Sequence, residues 1–452
     1  MNKIFILLGF TMLSNISIAQ QNQKYNFTLE QAIDFALDSN YTAINARRDI
    51  AIAIKKKWET TAGGLPQLDV NISYQNNLKQ PTTLLPGEIA GGEAGSFVPI
   101  VFGTKQNATL GATLTQLIFD GSYLVGLQAA KTFLDYSENA EEKTQLEVRR
   151  GVINAYGSVL LSKELIEIFE LNKTNLEKNI FETRAFYENG FTEEESVEQL
   201  EITLINLETQ LKNSERTLII AKQMFNLALG IDVENEVVLL DNLTSLTQQN
   251  ISLEFLEENI KIENNIDYKI ANNFTEQQIL KLKLEKSYSI PNLIAFVNYG
   301  TQANSDDFNF FNNDQKWYQS SIVGISMNIP ILSSGLRNAK TQQARIALEQ
   351  SETNLTEAYQ KVLLEINTAK NNYRFAVEIY NNNKKNLDLS ERVERKNEIK
   401  FLEGLATSFD LRTAQIQLYT AQQNYFEAML RVISTKADLE TVLNTPQLKA
   451  TN

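Results

Sequence analysis

Four segments of the chain alternate between apolar and polar residues, the pattern of strands with one apolar face. The first follows Pro66, and a similar one follows Pro291. The apolar series are Leu68, Val70, Ile72 and Tyr74; Ala108, Leu110, Ala112 and Leu114; Leu293, Ala295, Val297 and Tyr299; and Val323, Ile325, Met327 and Ile329. We predict strand hairpins over about 67–118 and about 291–330, the first containing a long loop at about 76–105.

Long segments of helical composition follow each strand hairpin. From Gly121 to Gly190 there is no proline, and a helix of that length is on the order of 100 Å long. After Gly190 and after Gly404, apolar residues recur at spacings of three and four, as in a coiled-coil seam. These residues are Val197, Leu200, Leu204, Leu207 and Leu211, and then Leu411, Ala414, Leu418, Ala421 and Tyr425. We predict two antiparallel helical hairpins with tips near the two glycines.

The two halves of the chain repeat one another. Pro66 and Pro291 each open an alternating segment, and Gly121 and Gly335 each stand 69 residues before a tip glycine. Because these features recur in the same order, the sequence indicates an internal duplication. Each half is predicted to contain a helix, a strand hairpin and a long helical hairpin.

The first residues have the composition of a secretory signal peptide. Lys3 precedes a short apolar stretch that ends in small residues, so we expect a signal peptide over 1–19. The first repeat is then 20–239 and the second, with a C-terminal tail, is 240–452. No later stretch reaches the roughly 18 apolar residues of a membrane-spanning helix. The mature chain is therefore expected either to be soluble or to enter a membrane as strands.

Composition excludes several classes of function. The 452 residues include no cysteine and no histidine, which excludes disulfides, His or Cys metal sites and Ser-His-Asp catalysis. A net charge of −13 is the opposite of the basic surface that binds nucleic acid. No phosphate-binding loop or nucleophile elbow is present. We expect no enzymatic activity, cofactor, metal site or nucleic-acid partner.

The predicted strands have the length and alternation of strands in outer-membrane barrels. Lipid offers no hydrogen bonds to backbone groups, so an open four-stranded sheet is excluded there. Since eight strands is the usual minimum for a barrel, two, three or four copies of the chain must complete it. If the protein is not in a membrane, two strand hairpins at the end of a soluble helical rod would leave apolar stripes exposed.

The order, duplication and spacing of these features resemble the outer membrane factor family, the TolC-like efflux proteins. The resemblance covers nearly all of the mature chain, although no single motif in it is highly specific. The segments that carry it are 28–32, 65–68, 114–121, 187–191, 226–230, 329–335 and 401–411.

The resemblance implies a mainly α homotrimer with a small membrane β part. Four strands per chain would form a twelve-stranded β-barrel in the lipid bilayer of the outer membrane, and the helical hairpins a periplasmic α-barrel. The implied partners are a periplasmic adaptor (a membrane fusion protein) and an inner-membrane transporter. The expected function is the outer-membrane channel-tunnel of a tripartite efflux or type I secretion system. The alternative is a secreted periplasmic coiled-coil scaffold or adhesin without a pore.

The resemblance also implies a pore constriction near the second tip. Asp410 stands at the first of two aspartate positions of the family's constriction, whereas the second is Thr413 here. Phe401 replaces the family's linking tyrosine and Ala406 its arginine, so the hydrogen bonds of the closed state must differ. Glu195 is a candidate for replacement negative charge or for an ion pair with Lys396 or Lys400. Alternatively, Asp410 is a solvated residue in the first turn of a helix.

The tips themselves are candidates for adaptor docking. The residues concerned are Gly190 and Phe191 at the first tip, and Gly404 and Leu405 at the second. Glycine tolerates positive φ, so turn geometry is a second reason for the two glycines. We expect both reasons to apply.

Overall fold

The computed structural model describes residues 24–252 and 261–444, so the predicted signal peptide and the tail after Pro446 lie outside the described residues. The chain forms two compact units. The helical unit comprises the described parts of Met1–Arg47, Ala140–Tyr268 and Tyr359–Asn452, and the strand unit comprises Arg48–Asn139 and Lys269–Ala358. In the described ranges, no helix has an apolar stretch long enough to cross a bilayer.

The described elements are mostly helices, two of which exceed 60 residues. In chain order they are β1 (Tyr25–Phe27), α1 (Leu29–Ser39), α2 (Tyr41–Ala62), β2 (Gln67–Asn76), β3 (Thr82–Pro86), β4 (Phe97–Val101), β5 (Gln106–Phe119), α3 (Gly121–Glu188), α4 (Glu194–Leu229), β6 (Val237–Leu239), α5 (Leu243–Asn250), a 3-10 turn (Ile262–Asn264), α6 (Ile266–Ser287), β7 (Asn292–Ser305), β8 (Tyr318–Asn328), α7 (Leu336–Leu402) and α8 (Ser408–Leu443). This order confirms the predicted strand hairpins and long helices.

The strand unit is built on an antiparallel sheet with strand order β2-β5-β7-β8. Its central contact joins β5, from the first half of the chain, to β7, from the second half. One row of the register across all four strands is Leu68, Leu114, Val297 and Val323. The alternation seen in the sequence therefore places these apolar residues side by side on one face.

The connection predicted as a loop at about 76–105 contains a second, two-stranded sheet. Its strands β3 and β4 are antiparallel, and Thr82 pairs with Val101. The prediction of a loop was therefore wrong for the residues of β3 and β4. The proline and glycine residues that suggested a loop lie mainly at the strand ends and in the turn between the strands, where they do not interrupt the ladder.

In the helical unit, the main apolar core surrounds Tyr156 of α3. Its side chain is fully buried, its ring packs edge-on to Phe225 with 5.6 Å between centroids, and its hydroxyl donates to Asp241 Oδ2 at 2.8 Å. The same carboxylate oxygen accepts the backbone N–H of Leu29 at 2.7 Å. Asp241 therefore connects the start of α1 to the middle of α3. Burial, together with the hydrogen bond to Asp241, raises the pKa of the Tyr156 hydroxyl.

The predicted coiled-coil seam forms between α3 and α4. Val197, Leu200 and Leu207 of α4 are buried in a second apolar cluster. Their partners on α3 are Phe169, Leu176 and Ile180. The spacing of three and four is thus confirmed as a contact within one chain.

Asn40 divides the single helix predicted before the first strand hairpin into α1 and α2. Its Oδ1 accepts the backbone N–H of Thr42 at 2.8 Å, and its Nδ2 donates to the carbonyl of Ala228 at 2.8 Å. Asn265 makes the same pair of contacts, with the N–H of Asp267 at 2.9 Å and the carbonyl of Val442 at 2.7 Å. The two compact units each contain residues from both predicted repeats, 20–239 and 240–452. The internal duplication therefore stays a prediction.

Gly230 closes α4 in a conformation that no other residue type fits. Its φ is +79°, and a Cβ atom there would lie 2.2 Å from the backbone oxygen of Ser39. Gly190 has nearly the same φ, +76°, but a Cβ would meet nothing within 4 Å. The two glycines differ in surroundings and share backbone geometry.

We expect Gly230→Ala to destabilise the protein by about 3 kcal/mol or more, since left-handed strain adds to a backbone clash. Gly190→Ala, the matched control, adds only the strain, about 1–2 kcal/mol. Thermal unfolding of the purified chain in detergent, followed by circular dichroism, measures both. Equal shifts in the midpoint temperature would contradict the packing at Gly230.

Candidate functional site

One face of the four-stranded sheet is polar. It carries a shallow cleft of about 520 Å³ lined mainly by hydroxyl, amide and carboxylate side chains. Asn298 Nδ2 donates to Thr113 Oγ1 at 2.7 Å, and the hydroxyls of Ser73 and Thr109 are 2.5 Å apart. Asp69 is the one charged residue within these four strands. This face is suited to water.

The opposite face of the same sheet is apolar and exposed in a single chain. Ile72 is 77% exposed and Val323 is 80% exposed. Similar residues of the two outer strands are Leu68, Val70, Ile325 and Met327. An apolar surface of this extent on a soluble protein is unusual, so it indicates a surface that is covered by something apolar.

Both outer strands of the sheet have an open edge. Within residues 24–252 and 261–444, β2 pairs only with β5, and β8 pairs only with β7. Every second backbone N–H and C=O along β2 and β8 therefore points away from the sheet without a strand partner in the part of the chain that the structure describes.

Aromatic residues cluster at one end of the sheet. The Tyr74 ring is 5.5 Å from Phe308 and 5.8 Å from Phe310, and Phe310 is 6.5 Å from Trp317, measured between centroids. The Tyr74 hydroxyl donates to Gln106 Oε1 at 3.0 Å. Aromatic residues with one polar atom are typical of membrane–water interfaces.

The two helical tips in the helical unit have the same geometry. Gly190 and Gly404 have φ of +76° and +73°. At each tip the residue after the glycine donates its N–H to a carbonyl five residues earlier, at 2.9 Å and 2.7 Å. That residue is Phe191 at the first tip, 81% exposed, and Leu405 at the second, 74% exposed. Each tip therefore presents an uncovered apolar side chain.

A cleft of about 450 Å³ lies at the tips. Its lining is largely apolar and comes from both helical hairpins: Phe186, Phe191, Thr192, Phe401, Leu402, Glu403, Gly404 and Ala406. The predicted docking residues Phe191 and Gly404 are therefore brought together, while Leu405 stands beside them in solvent.

Asp410 forms a capping box at the start of α8. Its Oδ2 accepts the backbone N–H of Thr407 at 3.0 Å, and the Thr407 hydroxyl accepts the N–H of Asp410 at 3.2 Å. The Thr407 side chain, then its backbone N–H, lower the pKa of the Asp410 carboxyl below its usual range. A lowered pKa means that the capping contribution is present at neutral pH and is lost as the pH falls through that pKa.

The other two predicted constriction residues are placed differently. Phe401 is only 9% exposed, so a role in lining a pore requires it to leave its packing. Glu195 accepts a hydrogen bond from Gln199 Nε2 at 2.8 Å. Among the described ion pairs, none joins Glu195 to Lys396 or Lys400.

The prediction from sequence missed an aromatic–cation pair next to Asp410. The Arg412 guanidinium lies 5.5 Å from the centroid of the exposed Phe409 ring. The signal was available, because residues three apart on a helix are neighbours. A positive charge two residues from Asp410 must be included in any account of charge at this tip.

A half-buried carboxyl group also lies near the second tip. Burial raises the pKa of the Glu394 carboxyl, and the nearby carboxylate of Glu398 adds to the effect. Within residues 24–252 and 261–444, no group of three or more Asp or Glu side chains is arranged to hold a metal ion.

The chain is similar to known outer-membrane channels. The family model described as "Outer membrane efflux protein" matches residues 281–445. The outer membrane protein TolC of Vibrio cholerae is 20% identical over 335 residues, 74% of this chain and 76% of that protein. Structures of CusC (TM-score 0.73, 17% identity, 92% of each chain) and of VceC from Vibrio cholerae (TM-score 0.71, 16% identity, 92% of this chain and 96% of that one) have the same fold.

We expect Thr407→Ala to speed amide hydrogen exchange in the first turn of α8, residues 408–411, about fivefold. The loss of an N-cap costs about 1 kcal/mol. Thr413→Ala is the matched control, since the Thr413 hydroxyl donates to the carbonyl of Phe409 inside the same helix. Unchanged exchange in Thr407→Ala, measured by mass spectrometry at neutral pH, would remove the capping role.

Proposed function

This chain is a member of the outer membrane efflux protein family, and on that premise we propose that three copies form the outer-membrane channel of a tripartite export system. The channel conducts its cargo passively from a periplasmic adaptor and an inner-membrane transporter to the cell exterior. Like the other channels of the family, it performs no bond chemistry and is not an enzyme.

The observation that carries this proposal is the four-stranded sheet with two open edges. One face is apolar and exposed, and the other is polar. Lipid covers the apolar face, but it cannot pair the backbone groups of β2 and β8. Pairing β8 of one copy with β2 of the next satisfies both edges at once, and three copies give twelve strands.

Closing the sheet in this way turns the polar faces towards a common interior. The hydroxyl and amide side chains around Asn298 and Thr113 then line a water-filled passage. A secreted scaffold or adhesin without a pore is the alternative, but it leaves the apolar face of the sheet without a cover. No observation favours it.

The helical tips are the proposed docking surface for the adaptor. Phe191 and Leu405 are exposed apolar residues on rigid turns, and the cleft beside them is lined by both helical hairpins. Exposed aromatic and aliphatic residues beside a cleft are common anchors of protein interfaces. Gly190 and Gly404 contribute by fixing the turn that presents these side chains.

Asp410 is the proposed source of charge at the constriction. Its side chain is exposed, and threefold symmetry brings three carboxylates towards one axis. Glu195 is the second candidate, since its carboxylate is exposed at the first tip. Phe401 then acts by packing behind this region in the closed state, which accords with its burial.

Cysteine cross-linking tests whether the sheet closes between copies. The chain has no cysteine, so Asn71→Cys in β2 combined with one of Ser320→Cys, Ile322→Cys or Gly324→Cys in β8 introduces the only thiols. Within one chain β5 and β7 separate these strands by three spacings, about 14 Å, beyond the 4.4–6.8 Å span of a disulfide. We expect oxidised outer membranes to contain covalent dimers and trimers for at least one pair.

Each single cysteine variant is the control, because it supplies only one of the two strands. Monomers alone, for every pair, would contradict closure of the sheet by neighbouring copies.

Channel recordings in planar bilayers test the charge assigned to Asp410. We expect Asp410→Asn to weaken block by divalent cations about tenfold, since a ring of three carboxylates attracts them strongly. Thr407→Ala is the matched control, because it removes the cap and keeps the carboxylate. Equal effects of both substitutions would mean that Asp410 acts only as a helix cap.

A further inference from the structure

The helices of the strand unit all leave the sheet at the same end. β2 and β7 begin there and β5 and β8 end there, as the register of Gln67 with Thr115 and of Asn292 with Asn328 requires. We call this the helix end of the sheet. The loops of residues 77–105 and 306–317 lie at the opposite end, together with the aromatic cluster around Tyr74.

Positive charge is concentrated at the helix end. Four helices leave this end, and the three turns of each that lie nearest the sheet are residues 52–62 of α2, 121–131 of α3, 277–287 of α6 and 336–346 of α7. They contain ten Lys or Arg residues and two Glu, a net charge of +8. The whole chain has −13, so the remaining residues have −21. This basic collar is therefore the exception in an acidic protein.

The collar is exposed and mixed with apolar side chains. Lys55, Lys57, Lys283 and Lys286 are all exposed, and each lies six to twelve residues before a strand, within roughly 18 Å along a helix. The exposed apolar and aromatic residues nearby are Trp58, Tyr288, Ile290, Ile331 and Leu332. Lysines interspersed with Trp, Tyr and aliphatic residues are the composition of a membrane–water interface.

We propose that this basic collar binds anionic phospholipid headgroups on the periplasmic surface of the outer membrane. The inference rests on the proposed function, which places the apolar face of the sheet in lipid. The collar adjoins the end of the sheet at which β2 and β7 begin, and its charge is complementary to the headgroups. Attraction of this kind extends only about one Debye length, so only lysines close to the strand ends contribute.

The two tryptophans of the chain allow a direct test. Trp58 lies in the collar, and Trp317 lies in the aromatic cluster at the other end. Trp317→Phe leaves Trp58 as the reporter, and Trp58→Phe leaves Trp317. Each full-length mature protein is reconstituted into vesicles that contain phosphatidylcholine or phosphatidylglycerol with a nitroxide near the headgroup end of one acyl chain.

We expect phosphatidylglycerol to quench Trp58 more strongly than phosphatidylcholine, and both lipids to quench Trp317 equally. The combined changes Lys55→Gln, Lys57→Gln, Lys283→Gln and Lys286→Gln reduce the preference at Trp58 about tenfold, as does high salt. The matched control replaces Lys212, Lys222, Lys384 and Lys385 of the helical unit by Gln and leaves the preference unchanged.

The outcomes separate this inference from the proposed function. Equal quenching of Trp58 by the two lipids, or an unchanged preference in the four-lysine collar variant, overturns the lipid site. Quenching of Trp317 but not of Trp58 means that protein covers the collar, which also overturns it. If neither lipid quenches either tryptophan, the chain is not in the bilayer and the proposed function fails as well.

Discussion

The fold depends most on one constraint, the hydrogen bonds of the backbone along β2 and β8. In water these groups are satisfied by solvent, but in lipid each unpaired group costs several kcal/mol. The main sheet of the described residues has four strands and two open edges, so a membrane position requires neighbouring copies. The polar faces of those copies would then surround a shared interior.

Local chemistry in the sequence was enough to predict the main elements. Strict alternation located the four long strands, because side chains in a strand point to opposite faces in turn. Spacings of three and four located the seam of Val197, Leu200 and Leu207. The tips followed from glycine, since Gly190 and Gly404 have positive φ, which other residues adopt at a cost.

The remaining features depend on contacts that the sequence does not specify. β3 and β4 stabilise one another across a turn, and their short, proline-containing segments lack a clear alternation. Asn40 ends α1 through a bond to the carbonyl of Ala228, almost 190 residues away. The burial of Phe401 depends on which face of α7 packs inward. For Asp410, the capping box with Thr407 follows from spacing, whereas a charged ring depends on symmetry between copies.

The pairing of β5 with β7 has a consequence for biogenesis. The first strand hairpin emerges from the export machinery well over 150 residues ahead of β7, so the inner edge of β5 has no partner while the intervening helices are still being translocated. An apolar hairpin with an open edge in an aqueous compartment is prone to aggregate. Completion of the sheet must therefore wait for β7, and the first hairpin stays exposed to aggregation until then.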